Sequence, residues 1–359
     1  MASFLSIINS AGRNWRYLLP FKRRIGYIGW VGFGNLGDEI MFEAFKRLFC
    51  QFDVLPFKFT HKIELFEKIK KREMFQAVCQ GGGTLINAKG YHEKYRIAQE
   101  RYGKTFVFGT GVRNPIFWNR VKNWQDSLNE WLEILNKSIF VGVRGPISQQ
   151  LLCERGFDKA EVIGDISLSL AKPGIIAKKR RKVIGINIGV SDSGQWGRDD
   201  DILEFIVKFA NIMLSKKWNI KFMPVCEKDL LFIKTAARKI GRGVSVFNEY
   251  KSMRKIMQFF ETCDLFVGEK MHSVILAMCS YTPSIMLEYR PKCLDFMMSM
   301  GLEKFNMRTD NLSLDLIIDN INELYDNTEI IQKKIFDRVS YYKDIQRKRS
   351  NFISAAINV

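Results

Sequence analysis

Three cationic side chains, far apart in the sequence, share one local setting. Arg144 in VGVRGPIS ends an apolar run and precedes a helix that Pro146 and Ser148 can begin. His272 in DLFVGEKMHSVILAM stands where a strand gives way to a helix, with Lys270 two residues before it. Lys292 in EYRPKCLDFM again lies just beyond a strand. Open α/β sheets bind ligands at the carboxyl ends of their strands. Cations gathered there would hold an anion of more than one charge, the arginine through its planar fork, and the histidine could also shuttle a proton. A structural ion pair would explain a lone arginine nearly as well, and most lone histidines are structural. The weight rests on three comparable strand ends in two halves of one chain.

Two glycine turns accompany them. Gly32 to Gly37 (GFGNLG) is a literal G-x-G-x-x-G between a strand and a helix, the context of a dinucleotide site. Such a site requires an acid closing the next strand about 20 positions on. Asp53 instead precedes the apolar pair Val54-Leu55, and Asp38-Glu39 in the first helical turn would repel a pyrophosphate while suiting the helix dipole. Nicotinamide and flavin are therefore set aside. Asp38 either charges that helix turn or serves as a base or acceptor-orienting group. Gly81, Gly82, Gly83 and Thr84 follow the strand QAVCQ and can offer bare backbone N–H groups to an anion or a hydroxyl, or form only a tight turn.

The elements that must carry these residues read as α/β. Short apolar bursts at 77–79, 105–108 and 139–143 alternate with helical stretches, and a second series follows with VIGINIGV (183–190), IKFMPV (220–225), DLFVGEK (264–270) and TPSIMLEY (282–289). The helix after Gly37 carries Ile40, Phe42, Phe45, Leu48 and Phe49 as its apolar set. We expect two Rossmann-like, doubly wound domains over 25–170 and 183–325, joined by the linker 171–182. A basic amphipathic segment (1–24) precedes them and a basic helical segment (326–359) follows, with Ile335, Val339, Tyr342 and Ile345 near helical spacing. At 359 residues the chain exceeds one ordinary core. It carries 56 Lys and Arg against 38 Asp and Glu, a net charge of +18, with 47% hydrophobic residues, which excludes disorder and points to an anionic partner. No stretch approaches the length of a membrane span. Seven scattered cysteines without a C-x-x-C pair argue against a disulfide framework or zinc cluster and for buried thiols in a reducing cytoplasm.

Taken in order, GFGNLGDE, GGGTLI, GVRGPIS, VIGDISL, INIG, GEKMHSVILA and Y-x-x-K-x-x-DF-x-x-x-x-GL resemble the polysaccharide pyruvyl transferase family over about residues 25 to 305. The resemblance implies the B-type glycosyltransferase fold and transfer of pyruvyl from phosphoenolpyruvate to a sugar, forming a cyclic ketal and releasing phosphate. It carries the family's catalytic and phosphoenolpyruvate-binding set onto Arg144, His272 and Lys292, its Asn-x-Gly-Asp motif onto Asn35, Gly37 and Asp38, and its glycine motif onto Gly82 and Gly83. Lys270 stands where the family often has arginine, keeping the charge without the fork.

Phosphoenolpyruvate bears a carboxylate and a phosphate on three carbons, so its site needs two or three cations in a small volume. On this reading His272 is the acid that protonates the methylene carbon, Arg144 and Lys292 neutralise the donor, and Asp38 is a base. Asn35, Gly37, Gly82, Gly83, Thr84, Lys270 and Glu288 are substrate-binding candidates. No metal and no cofactor beyond the donor substrate is called for. The partners expected are phosphoenolpyruvate, a nucleotide- or lipid-linked sugar acceptor of a bacterial surface polysaccharide, and an anionic membrane surface, with no nucleic acid, placing the protein in the cytoplasm at the inner membrane face. Two rivals are a glycosyltransferase using Glu269 and Glu288 on a sugar nucleotide, and a non-enzymatic protein binding membranes through one basic face. In the N-terminal segment Phe4, Leu5, Ile7, Ile8 and Trp15 alternate with Arg13, Arg16, Lys22, Arg23 and Arg24, a pattern that fits an interfacial segment or a packed leader helix. If it meets lipid, deleting residues 1–22 should lower co-sedimentation with anionic vesicles; unchanged binding would mean a packed helix.

Overall fold

The structure is a computed structural model that describes residues 23–58, 64, 67–68, 73–175, 180–191, 194–250 and 252–358. The N-terminal segment up to residue 22 and linker residues 176–179 lie outside them. Among the described residues the strands form two all-parallel sheets, of seven and six strands. In the first, β1 (Arg24–Ile28) lies between β2 (Asp53–Pro56) and β3 (Ala77–Gln80), followed outward by β5 (Thr105–Val112), β6 (Val141–Val143) and β7 (Glu161–Val162), while β4 (Gly83–Ile86) pairs with β5. In the second, β8 (Val183–Asn187) lies between β9 (Asn219–Phe222) and β11 (Leu265–Gly268); β10 (Val244–Val246) flanks β9, and β12 (Ser284–Glu288) and β13 (Asn306–Arg308) extend the other edge. The chain reverses its winding beside β1 and beside β8. Each reversal opens a crevice at the strands' carboxyl ends.

Strands covered on both faces read as unbroken apolar runs, and β5 is buried along all eight residues. The helices read instead as one-sided. In α1 (Leu36–Leu48) Ile40, Met41, Ala44 and Phe45 face the core, whereas Phe42 and Leu48 are only half-buried. Asn35 caps α1, its side chain accepting from Gly37 N at 3.0 Å, and Asp38 and Glu39 meet the positive end of its dipole. Gly32 and Gly34 take φ of +89° and +75°, which accounts for the glycine spacing by turn geometry alone.

Three expectations change. Arg24 does not face lipid: it opens β1, is 5% exposed, and its Nε lies 3.7 Å from Asp53 at the amino edge of the sheet, away from both crevices. Gly83 and Thr84, the last two residues of the stretch 81–84 that could be a tight turn, instead open β4 beside β5, with a register shift between Thr84 and Ile86. Among the cysteines, Cys79, Cys263, Cys279 and Cys293 are buried, but Cys50 and Cys153, at the ends of outer helices, are exposed.

The last helix, α12 (Thr328–Asn358), straps the two domains together. Ile335, Val339 and Tyr342 enter the second core, whereas Ile353 and Ile357 enter the first. Between these, Gln346 Nε2 donates to the carbonyls of Ile163 at 2.9 Å and Asp165 at 3.0 Å. No helix among the described residues is long and apolar enough to cross a membrane. Ile353 is fully buried, so Ile353→Ala should cost about 2–4 kcal/mol in urea unfolding. A loss below about 0.5 kcal/mol would mean that the strap does not dock.

Candidate active site

Arg144 leaves β6 at the crevice of the first sheet, its backbone N donating to Thr110 O at 2.9 Å. Its side chain is fully buried. Nη1 donates to Gly83 O at 3.0 Å and Nη2 to Thr84 Oγ1 at 3.1 Å, while Nε has no partner. Among the described residues Arg144 forms no ion pair. The opposing charge of Asp295 acts on Arg144 without contact; a buried guanidinium with no directly bonded carboxylate carries a desolvation cost and favours an anion that reaches it. The triglycine turn is thus the seat of Arg144. Gly82 departs from the expectation of a free N–H, since it donates to Tyr27 Oη at 2.9 Å.

The second domain brings the other two cations to the same cleft. His272 lies in the first turn of α9 (Met271–Cys279) and rests against α1 of the first domain. A Cβ on Gly37 would fall 2.0 Å from His272 Nδ1, so only glycine permits this approach. His272 Nε2 lies 3.8 Å from Asp165 Oδ2, and neither atom has a hydrogen-bond partner. Burial, with the charges of Lys292 and Arg144, outweighs Asp165 and pulls the imidazole pKa down to about 4. Lys292 opens α10 (Lys292–Met300) with its Nζ 5.0 Å from the Tyr289 ring centre. Burial, then Arg290 and Arg144, brings its pKa down to about 7 against the opposing pull of Cys293 and Asp38. Asp38, raised by burial to about 7, is held back by Lys292. Asp38, Arg144, His272 and Lys292 therefore act on one another across the domain boundary.

Two carboxylates that sequence reasoning did not single out organise this cleft. Asp165 faces His272. Asp295, 3% exposed on α10, accepts at Oδ1 from the N–H groups of Ile147 at 2.9 Å and Ser148 at 3.2 Å, and at Oδ2 from Ser148 Oγ at 2.6 Å. It caps α5 (Pro146–Cys153), the helix that follows Arg144 in the other domain. Both acids lie inside the motif strings VIGDISL and KCLDF, but nothing local to either names a partner in another element.

The remaining candidates make contacts within the protein. Asn35 is the α1 cap. Lys270 donates from Nζ to Val190 O at 2.7 Å and lies 5.0 Å from the Tyr289 ring centre. Glu288 accepts at Oε1 from Trp196 Nε1 at 3.1 Å and at Oε2 from Asn306 Nδ2 at 2.5 Å, within the second domain. Neither Lys270 nor Glu288 joins the Arg144 group.

The family model for polysaccharide pyruvyl transferase matches residues 35–291, a span that contains Asp38, Arg144 and His272 and ends one residue before Lys292. The chain belongs to the polysaccharide pyruvyl transferase family. It is a transferase acting on polysaccharide. No curated protein matches the sequence. Among solved structures, a glycosyltransferase from Rickettsia africae ESF-5 is similar at 11% identity with a TM-score of 0.58, covering 94% of this chain and 98% of that one. A UDP-glucosyltransferase from Polygonum tinctorium, described as capable of glucosylating indoxyl, is 11% identical with a TM-score of 0.55, covering 95% and 99%. An O-GlcNAc transferase mutant from Thermobaculum terrenum is 13% identical with a TM-score of 0.51, covering 93% of this chain and 66% of that one. These likenesses establish the two-domain, B-type glycosyltransferase fold for the family member described here.

The protonation state of His272 can be read directly. In long-range ¹H–¹⁵N spectra, assigned with His272→Gln, its ring nitrogens should keep the neutral pattern from pH 8 to about pH 5. An imidazolium pattern at pH 6.5 would refute the lowered pKa of His272.

Proposed function

We propose that the protein moves pyruvyl from phosphoenolpyruvate onto a sugar of a surface polysaccharide precursor, forming a cyclic ketal and releasing phosphate. One observation carries the reading: Arg144, fully buried and without an ion pair among the described residues, shares a cleft with Lys292 of the other domain. A small dianionic or trianionic donor would supply the missing charge. Arg144 suits a carboxylate or phosphate through its fork, and Lys292 meets the second anionic group.

The protonation order supports an assignment of acid and base opposite to the one expected from sequence. At neutral pH His272, near pKa 4, is an empty acceptor, whereas Asp38, near 7, retains a proton in part of the population. An anion bound at Lys292 removes the charge that holds Asp38 down and so loads it further. On this reading Asp38 protonates the methylene carbon of the donor. The adjacent carbon becomes oxocarbenium-like and bonds to one sugar hydroxyl, whose proton goes to His272. Asp165 favours a proton on Nε2 and leaves Nδ1 as the acceptor. The carbon–oxygen bond to phosphate then breaks, and the second hydroxyl closes the ketal, its proton leaving with phosphate.

The rival readings fit less well. Glu269 and Glu288, the acids a sugar-nucleotide site would use, hold internal donors: Glu269 Oε2 accepts from Gly189 N at 2.8 Å and Glu288 from Trp196 and Asn306. The cations discussed above converge on a cleft and are not spread over one outer face.

Incubation with phosphoenolpyruvate and a panel of nucleotide- and lipid-linked sugars should release phosphate and add one ketal to the acceptor's mass. Arg144→Gln should weaken phosphoenolpyruvate binding by about 100-fold; undiminished binding would overturn the assignment. The pH dependence has a definite sign. Below about pH 7 Lys292 is charged and Asp38 neutral, and above it Lys292 loses its charge while Asp38 gains one, so beside the permanently charged Arg144 the attraction for the donor weakens. Donor affinity should therefore fall by about tenfold or more between pH 6.5 and 8.5, and a rise would contradict the proposed pair.

A further inference from the structure

The same cleft holds cations that the donor does not use. Arg113 follows β5 in the first domain, and Arg290 follows β12 in the second. Their guanidinium carbons lie 4.2 and 5.8 Å from the centre of one ring, that of Trp118. Arg113 is half-buried and forms no ion pair among the described residues; its Nε reaches Thr84 O at 3.4 Å. Burial and the charge of Arg290 both pull its pKa down. Arg290 is held in place by bonds from Nε to Gly194 O at 2.8 Å and from Nη2 to Ser191 Oγ at 2.5 Å. The aromatic wall continues across the domain boundary, where Phe117 meets Trp196 edge to face at 4.9 Å and the exposed Arg120 lies 5.0 Å from the Trp196 ring centre.

Two guanidinium groups that repel one another over a shared indole are stabilised by an anion that reaches both. A guanidinium fork fits two phosphate oxygens; Arg113 offers its Nη groups, while Arg290, whose Nε and Nη2 are bonded within the second domain, contributes its charge. The charges of phosphoenolpyruvate are already met by Arg144 and Lys292, so a further phosphorylated group is what these arginines suit. A sugar awaiting assembly into polysaccharide is carried as a phosphate ester, and a diphosphate presents one phosphate to each domain. We propose that Arg113 and Arg290, with Trp118 between them, form a second anion subsite that holds the diphosphate of a diphosphate-linked sugar acceptor. The word acceptor rests on the pyruvyl transfer reading; the subsite itself does not.

The test is calorimetric, on the full-length protein, with phosphoenolpyruvate, inorganic pyrophosphate, UDP-N-acetylglucosamine as the nucleotide arm and geranyl diphosphate as the lipid arm. Arg113→Gln should weaken pyrophosphate and at least one ester arm by about tenfold or more while changing phosphoenolpyruvate affinity by less than about twofold. Arg144→Gln should do the reverse. The arm that binds more tightly than pyrophosphate identifies the carrier class. Should Arg113→Gln fail to fold, Arg290→Gln serves as the second variant and is read on pyrophosphate alone, because Arg290 also acts on Lys292; Arg113→Lys should recover part of the affinity. If the wild type ignores phosphoenolpyruvate but binds diphosphates through Arg113, the subsite stands and the donor reading falls. Equal loss of donor and diphosphate in Arg113→Gln, or no loss of diphosphate, overturns the proposal.

Discussion

The side chain of Asp295 fixes the relation between the two halves of the cleft. A carboxylate of the second domain caps a helix of the first, with three donors on two oxygens and almost no exposure to water. The capped helix begins two residues after Arg144, and the helix that supplies the cap begins with Lys292. The spacing between the two cations is therefore set by a short, buried, charge-assisted contact. The strap of α12 acts in the same sense from the other side, with one end in each core and Gln346 bonded to the backbone beside Asp165.

Held this way, the cleft is electrostatically incomplete. Buried positive groups depress each other's proton affinity: Lys292 is lowered by burial, Arg290 and Arg144, and His272 by burial, Lys292 and Arg144. Asp38 is the one acid among the four central groups, and burial raises its pKa. A site in this condition binds anions because binding relieves what folding imposed. The net charge of +18 divides accordingly. A few cations face the cleft. Much of the basic character of α12 is matched along its surface, as in Arg349 with Glu161, Lys333 with Asp337, and Arg347 and Lys348 with Asp344.

Much of this fold is legible in the sequence because its signals are local. Continuous apolar runs mark strands covered on both faces, and Pro146 after Arg144 marks a helix start. The placement of Asp53 before its apolar pair correctly separates it from a ribose-binding acid, since it lies at the opposite end of the sheet from the crevice. The glycine turns were less legible. A run of glycines is compatible with an N–H cradle, a strand or a seat for another side chain, and the choice depends on Tyr27 and Arg144, which stand 55 and 61 residues from the atoms they bond.

By itself, then, the sequence determined the alternation of strands and helices, the two parallel sheets, and the delivery of Arg144, His272 and Lys292 to strand ends, because these depend on neighbours within a few residues. Only the tertiary structure decided that Glu288 and Lys270 bond to groups of the second domain, that Asp165 faces His272, that Asp295 joins the domains, and that burial lowers the proton affinity of His272 and raises that of Asp38. Those outcomes rest on partners as far as 148 positions away and on exclusion from water, and burial is a property of the whole chain.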